Sequence, residues 1–224
     1  MSTQTSSLKS PAGCPAVIPV FPLPGALLLP RGQMPLNIFE PRYLAMIDDA
    51  LRTDRIIGMI QPDAEGGGSS VAPKLYRVGC AGRISQFAET GDGRYLISLT
   101  GVSRFRVESE LATTTAYRRC HVSYDAFASD FEPRAGEEAV DRAGVLRALR
   151  RFVEANELQV DWSGIEEAPN EALVNALCMM SPFGVREKQA MLEAADLKTR
   201  AEVLVAVTEM ELARTGGGPE PTLQ

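Results

Sequence analysis

The stretch Phe21-Pro22-Leu23-Pro24-Gly25, followed by Pro30 and then by Pro35-Leu36-Asn37-Ile38-Phe39-Glu40-Pro41-Arg42-Tyr43, decides the fold. Each proline removes a backbone donor, so no long helix can form across it. The apolar runs between the prolines are short, and they predict strands near Val17–Phe21, Ala26–Leu29 and Leu36–Phe39, with prolines at strand ends or edges. Pro41 then stands where a helix tolerates proline, in its first turn. Leu44, Ile47 and Leu51 repeat at helical spacing, which predicts a short amphipathic helix over Arg42–Arg52.

Downstream of this helix the period is that of strands. Ile56–Ile60 is a continuous apolar run ending before Pro62, as in a strand buried on both faces. Asp63–Pro73, with three consecutive glycines, reads as a loop. Ile84 and Phe87 fall on one strand, Asp92-Gly93 makes a hairpin turn, and Tyr95, Ile97 and Leu99 alternate with polar neighbours. Gly101 interrupts that alternation and predicts a bulge or bend. Phe105 and Val107 resume it, and Cys120, Val122 and Tyr124 add a further strand. Many short strands with glycine corners predict a nearly closed barrel.

Beyond a polar loop near Asp125–Gly136 the period changes. Val140, Ala143, Leu146, Leu149 and Val153 recur every three or four residues. Asn170 reads as the N-cap of a helix through Leu173, Val174 and Cys178, which Ser181-Pro182-Phe183-Gly184 ends. Val185–Ala195 forms another helix. Thr199 and Glu202 fit a capping box opening a last one through Met210. The expected organisation is a tail over 1–16, a β-rich barrel over 17–125, a helical subdomain over 137–213 and a second tail over 214–224.

Composition narrows the function. The chain has 224 residues, 45% of them hydrophobic, and a net charge of −6. An acidic chain is repelled by nucleic-acid phosphates unless its basic residues cluster. The sequence offers one such cluster, Arg147, Arg150 and Arg151 on a helix face with Arg118-Arg119 nearby. Flanking acids and few aromatics weigh against an RNA-binding role for it. The four cysteines, Cys14, Cys80, Cys120 and Cys178, are scattered without a C-x-x-C pair, which predicts free thiols and no zinc site. The chain contains no Gly-Lys dipeptide, so no P-loop, and no Gly-x-Ser-x-Gly elbow. Its one histidine, His121, is flanked by Cys120 and Val122 on a strand and has no triad partners beside it. No catalytic residue, metal site or cofactor is expected. With neither an export signal nor an apolar run of membrane-spanning length, a cytoplasmic location is expected.

The proline-rich opening through Phe39-Glu40-Pro41-Arg42-Tyr43 resembles the start of the Lon protease N-terminal, substrate-binding domain family. The resemblance continues at Val78-Gly79, Gly93-Arg94, Gly101-Val102-Ser103-Arg104-Phe105, Glu187-Lys188-Gln189, Leu192-Glu193 and Arg200, and covers about Val17 to Ala213. It implies an α+β, PUA-like fold: a β pseudo-barrel followed by a C-terminal helical bundle. In full-length Lon proteases this domain helps select unfolded or tagged substrates ahead of an ATPase and a Ser–Lys peptidase. The Phe-Glu-Pro-Arg-Tyr segment resembles stand-alone members, so neither activity is expected of this chain.

The expected role is therefore a non-catalytic module that binds unfolded or tagged polypeptide segments, or an adaptor that docks on a protease. Unbranched, polarizable methionine suits a surface that must adapt to varied segments. Met34, Met59, Met179, Met180 and Met191, with Phe183, are the candidate contacts, in a groove between barrel and helical lobe. Glu40, Arg42 and Tyr43 are further candidates. A partly buried ion pair fixing the strand-to-helix corner, with Tyr43 packed beneath, accounts for that trio better than a recognition surface does.

Overall fold

The computed structural model describes residues 8–63, 66–67 and 73–216. Its strands are β1 (Val17–Pro22), β2 (Gln33–Ile38), β3 (Ile56–Ile60), β4 (Val78–Glu89), β5 (Tyr95–Glu110) and β6 (Arg118–Ser123). The helices are α1 (Pro41–Leu51), α2 (Arg142–Ala155), α3 (Trp162–Glu167), α4 (Asn170–Met180), α5 (Val185–Glu193) and α6 (Leu197–Gly216). The architecture is the expected α+β arrangement, a near-barrel sheet followed by helices. The strands run in the order β2-β5-β4-β3-β1-β6, and a further pairing of β5 with β6 closes the ring.

β5 makes closure possible by length. Over its first half it pairs with β2 on one side and β4 on the other; over its second half it pairs with β6 and β4. The bend between the halves lies beside Gly101, where Gly82 faces Gly101 but Ala81 faces Ser103, leaving Val102 as the extra residue of a bulge. β2 therefore stands outside the ring as an edge strand. Gly101 N donates to Gly32 O at 2.8 Å. By alternation Met34, Leu36 and Ile38 turn their backbone polar groups toward β5, while Gln33, Pro35 and Asn37 turn theirs outward. Pro35 thus costs no ladder bond.

The period of two sorts the strands into two cores. Ile18, Val20, Ile56, Ile60 and Phe105 pack inside the barrel, whereas Phe21, Ile57, Met59 and Ile84 pack on its other face, against α1 and the helices. This double burial explains the unbroken Ile56–Ile60 run, of which every residue is buried. Gly58 leaves room for the Phe105 ring, since a Cβ there would lie 2.9 Å from it.

Three local expectations are corrected. Ala26–Leu29 is not a strand; Leu27, Leu28 and Leu29 are buried as an irregular segment inside the core. Asn170 does not cap α4, because its amide donates to Glu137 O and its carbonyl accepts from Arg142. Asp196, not Thr199, caps α6, accepting from Thr199 N at 2.7 Å. At the ends of the chain, Leu8 and Cys14 pack against the barrel core within the stretch expected to be a tail, and α6 runs on to Gly216. The two short helical segments over Asp125–Phe131 and Trp162–Glu167 carry too little periodicity to be read from sequence.

The barrel and the helices meet along a seam of buried polar groups. Gln61 accepts from Gly25 N and donates to Val185 O and Gln189 Oε1, and Gln189 donates to Val78 O. Lys188, buried on α5, donates to Gly25 O at 2.9 Å and Met179 O at 3.3 Å. Arg104, 1% exposed, meets both oxygens of Asp130 at 2.9 Å and also donates to Leu192 O and Ala194 O. Arg200 donates to Met191 O and Asn175 Oδ1, and burial together with the neighbouring Arg104 lowers its pKa to about 10. Many acceptors in this seam are carbonyls at the C-terminal ends of α4 and α5, where the helix dipole favours cations.

Candidate functional site

At one end of the seam lies a cavity of about 380 Å³. The Pro30–Gln33 loop forms one wall, Pro133 and Arg134 a second, and the α4 face bearing Ala176, Met179 and Met180 a third. Its lining is mainly apolar, and Met180 is 82% exposed. Gly32 packs directly on the Met179 sulfur, so a larger residue there would push that side chain aside.

The walls of this groove are held rigidly. Arg31 forms an ion pair with Glu171 on α4 and donates to Asp130 O at 2.6 Å. Glu171 also accepts from Arg134 N at 2.8 Å, so one carboxylate ties both loops to the helix. Arg31 and Arg134 both adopt left-handed backbone, with φ of 64° each. Such strain persists only where surroundings fix it, and it recurs at ligand sites. Sequence reasoning missed all three residues, because an isolated Arg between Pro30 and Gly32 carries no periodic or motif signal.

The expected methionines separate. Met179 and Met180 line the groove. Met34 is partly buried against the core, with its side chain on the inner face of β2. Met59 and Met191 are 2% and 0% exposed and cannot touch a ligand while the fold is intact. Phe183 is half-buried in the helical lobe, edge-on to Phe152 at 6.2 Å.

The Glu40, Arg42 and Tyr43 trio lies elsewhere; Arg42 and Tyr43 line a separate pocket of about 330 Å³. Arg42 pairs with Glu40 at 2.8 Å and lies 4.5 Å over the Tyr43 ring, which packs on Phe21. Burial raises the Tyr43 pKa, so the phenol stays a proton donor. Arg118 flanks the same pocket, bonded through two nitrogens to Glu110.

Four of the five arginines proposed as a basic cluster are paired: Arg147 with Asp141, Arg150 with Glu166, Arg151 with Glu209 and Arg118 with Glu110. Among the described residues no group of His, Cys, Asp and Glu could hold a metal ion, and no helix is long and apolar enough to cross a membrane.

Residues 17–208 match the family model of the ATP-dependent protease La (LON) substrate-binding domain. The chain belongs to this family. Relatives include Lon protease 2 of Myxococcus xanthus, 28% identical across 85% of this chain and 23% of that protein, and Lon protease 2 of Sorangium cellulosum, 28% identical across 95% and 27%. The chain thus spans about a quarter of the length of these relatives. Among solved structures, the Lon N-terminal domain protein of Xanthomonas campestris superposes with a TM-score of 0.60 at 23% identity, covering 85% of this chain and 97% of that one. The N-terminal domain of Mycobacterium avium complex Lon protease superposes with a TM-score of 0.62 at 17% identity, covering 86% and 98%. These two likenesses bear on the fold: the Lon N-domain architecture is the one described above.

Proposed function

We propose that this Lon-family domain is a non-catalytic receptor for unfolded polypeptide segments, and that the groove beneath Met179 and Met180 is its contact surface. The groove itself carries the proposal. It combines an adaptable methionine face with loop walls fixed by Glu171, and it opens at the junction of two subdomains, where ligand clefts favour forming. The substrate-binding description of the family agrees with this reading. The individually paired arginines of α2 leave an RNA-binding role without a free basic face.

The test is titration of a fluorescent, permanently unfolded casein-type chain against the wild type and Met180→Glu. A carboxylate placed in the groove is expected to weaken binding by about tenfold, the equivalent of ~1.4 kcal/mol. Wild-type binding is expected to persist at high salt, unlike a phosphate-driven contact. Unchanged affinity in Met180→Glu would remove the groove as the site. Peptide or ATP hydrolysis by the pure protein, abolished by a single substitution in it, would remove the non-catalytic assignment. Retention on the chain only when a full-length protease is present would favour the adaptor role over direct binding.

A further inference from the structure

The pocket at Tyr43 has a property the groove lacks: the polar groups still open toward it are donors. Tyr43 is 6% exposed and lines the pocket, and among the described residues nothing hydrogen-bonds its hydroxyl. Nη1 of Arg42 is likewise without a partner among them, the other guanidinium nitrogens being used on Glu40. Both residues stand in the first turn of α1, whose N-cap Glu40 makes no side-chain cap hydrogen bond. That turn carries the positive end of the helix dipole. Arg118 adds a second positive charge from β6, with its nitrogens held by Glu110 and by Pro73 O.

A ligand for this pocket must bring acceptors. Arg42, Glu110 and Arg118 are the charged side chains lining it; Glu110 pairs with Arg118, and Arg42 pairs with Glu40, which stands outside the lining. The helix end tips the balance toward an anion. The Arg42–Glu40 pair is about two-fifths exposed on each side, and pairs that exposed hold weakly, so an incoming anion can compete for Arg42. A carboxylate offers two oxygens and about four lone-pair sites, enough for a phenol and a guanidinium at once. The rest of the lining includes Pro22, Pro24, Pro62 and Pro73, whose rings present apolar walls to an adjoining aliphatic side chain. The volume is at the small end for ligand pockets, suited to a chain end or one side chain rather than a passing segment.

We infer that the pocket framed by Tyr43, Arg42 and Arg118 is a second subsite that binds a polypeptide carboxylate. The inference rests on the polypeptide-binding reading and gives it a polar anchor separate from the methionine groove.

The experiment uses the full chain and a fluorescein-labelled Gly/Ser dodecapeptide ending in leucine, as the free acid and as the C-terminal amide. The acid is expected to bind about tenfold more tightly, the worth of one charge-assisted contact. Tyr43→Phe keeps the ring on Phe21 and removes only the hydroxyl; Arg42→Gln removes the guanidinium that would receive the anion. Each is expected to shrink the acid-to-amide ratio toward unity while leaving the thermal midpoint close to wild type. An amidated peptide with an aspartate beside its last residue separates the sources: affinity matching the acid assigns the pocket to any carboxylate, affinity matching the amide to the chain terminus. Equal binding of acid and amide, no binding of the acid at millimolar peptide, or a ratio unmoved in both variants overturns the inference. If the casein-type chain still binds in a Met180-dependent way in that event, the groove stands and the carboxylate subsite alone is lost. If the casein-type chain fails to bind at all, the polypeptide reading falls with it.

Discussion

The barrel interior and the seam between the lobes are both buried, yet opposite chemistry holds them. Inside the barrel, Phe105 fills the space above Gly58 among Ile18, Val20 and Ile60, and contact there is a matter of shape. Along the seam, Arg104, Asp130, Gln61, Gln189 and Lys188 meet through directed hydrogen bonds. Dispersion is non-directional, so an apolar seam would leave the helices several packings of similar energy. Hydrogen bonds to named carbonyls admit one. The difference teaches that the lobes are set in a fixed register, which keeps the groove at their junction in one shape.

The comparison breaks most visibly through its largest side chains. Phe105→Ala is expected to cost about 3–5 kcal/mol of unfolding free energy, because the space beside Gly58 cannot collapse. Asp130→Ala should cost a similar ~3–5 kcal/mol, for a different reason: it leaves Arg104 buried without its carboxylate and close to Arg200. Chemical denaturation separates the two causes. The double change Arg104→Met/Asp130→Leu should recover part of the loss, since it removes the stranded charge, although Leu192 O and Ala194 O stay unfilled. No second substitution of that kind rescues Phe105→Ala. Equal loss in the single and double seam variants would refute the electrostatic account.

Gln61→Ala sharpens the comparison on a smaller scale. It strips a partner from Gly25 N and from Val185 O, for about 1–3 kcal/mol. At a shared but gentler level, both regions bury thiols. Burial pushes Cys120 in the barrel up to about 11 and Cys178 in the helical lobe up to about 12, from the ordinary thiol value of 9.0. In the unfolded chain these thiols ionise first, so the folded state binds more protons as pH rises above about 9. Stability is therefore complete below that pH and declines through the alkaline range. Cys178→Ala should lessen the decline by up to one proton, roughly 1.4 kcal/mol per pH unit, in unfolding measured between pH 9 and 11. Met180→Glu, exposed in the groove, should shift stability by less than ~0.5 kcal/mol while weakening polypeptide binding.

The barrel was legible because its signals are local. Alternation in Tyr95–Leu99, the Asp92-Gly93 turn and the interruption at Gly101 each act within a few residues. The seam was not, because its partners are far apart in the chain: Arg104 finds Asp130 inside what reads as a polar loop, and Gln61 finds Gln189 across 128 positions. Methionine spacing likewise could not tell Met180, on a solvent-facing turn of α4, from Met191, sealed on α5. Periodicity assigns a helical face; which face meets water is settled by the lobe packed against it. The Glu40–Arg42 pair was anticipated, whereas the open hydroxyl of Tyr43 depends on β6 and the proline walls, which no local pattern announces.

Pro35 has a bearing on traffic through the molecule. The outer rim of β2 offers the amide of Gln33 and that of Asn37 to solvent, with a gap between them where proline has none to give. A neighbouring chain trying to zip onto that rim loses its middle rung. Copies of the protein are thereby discouraged from stacking edge to edge through β2.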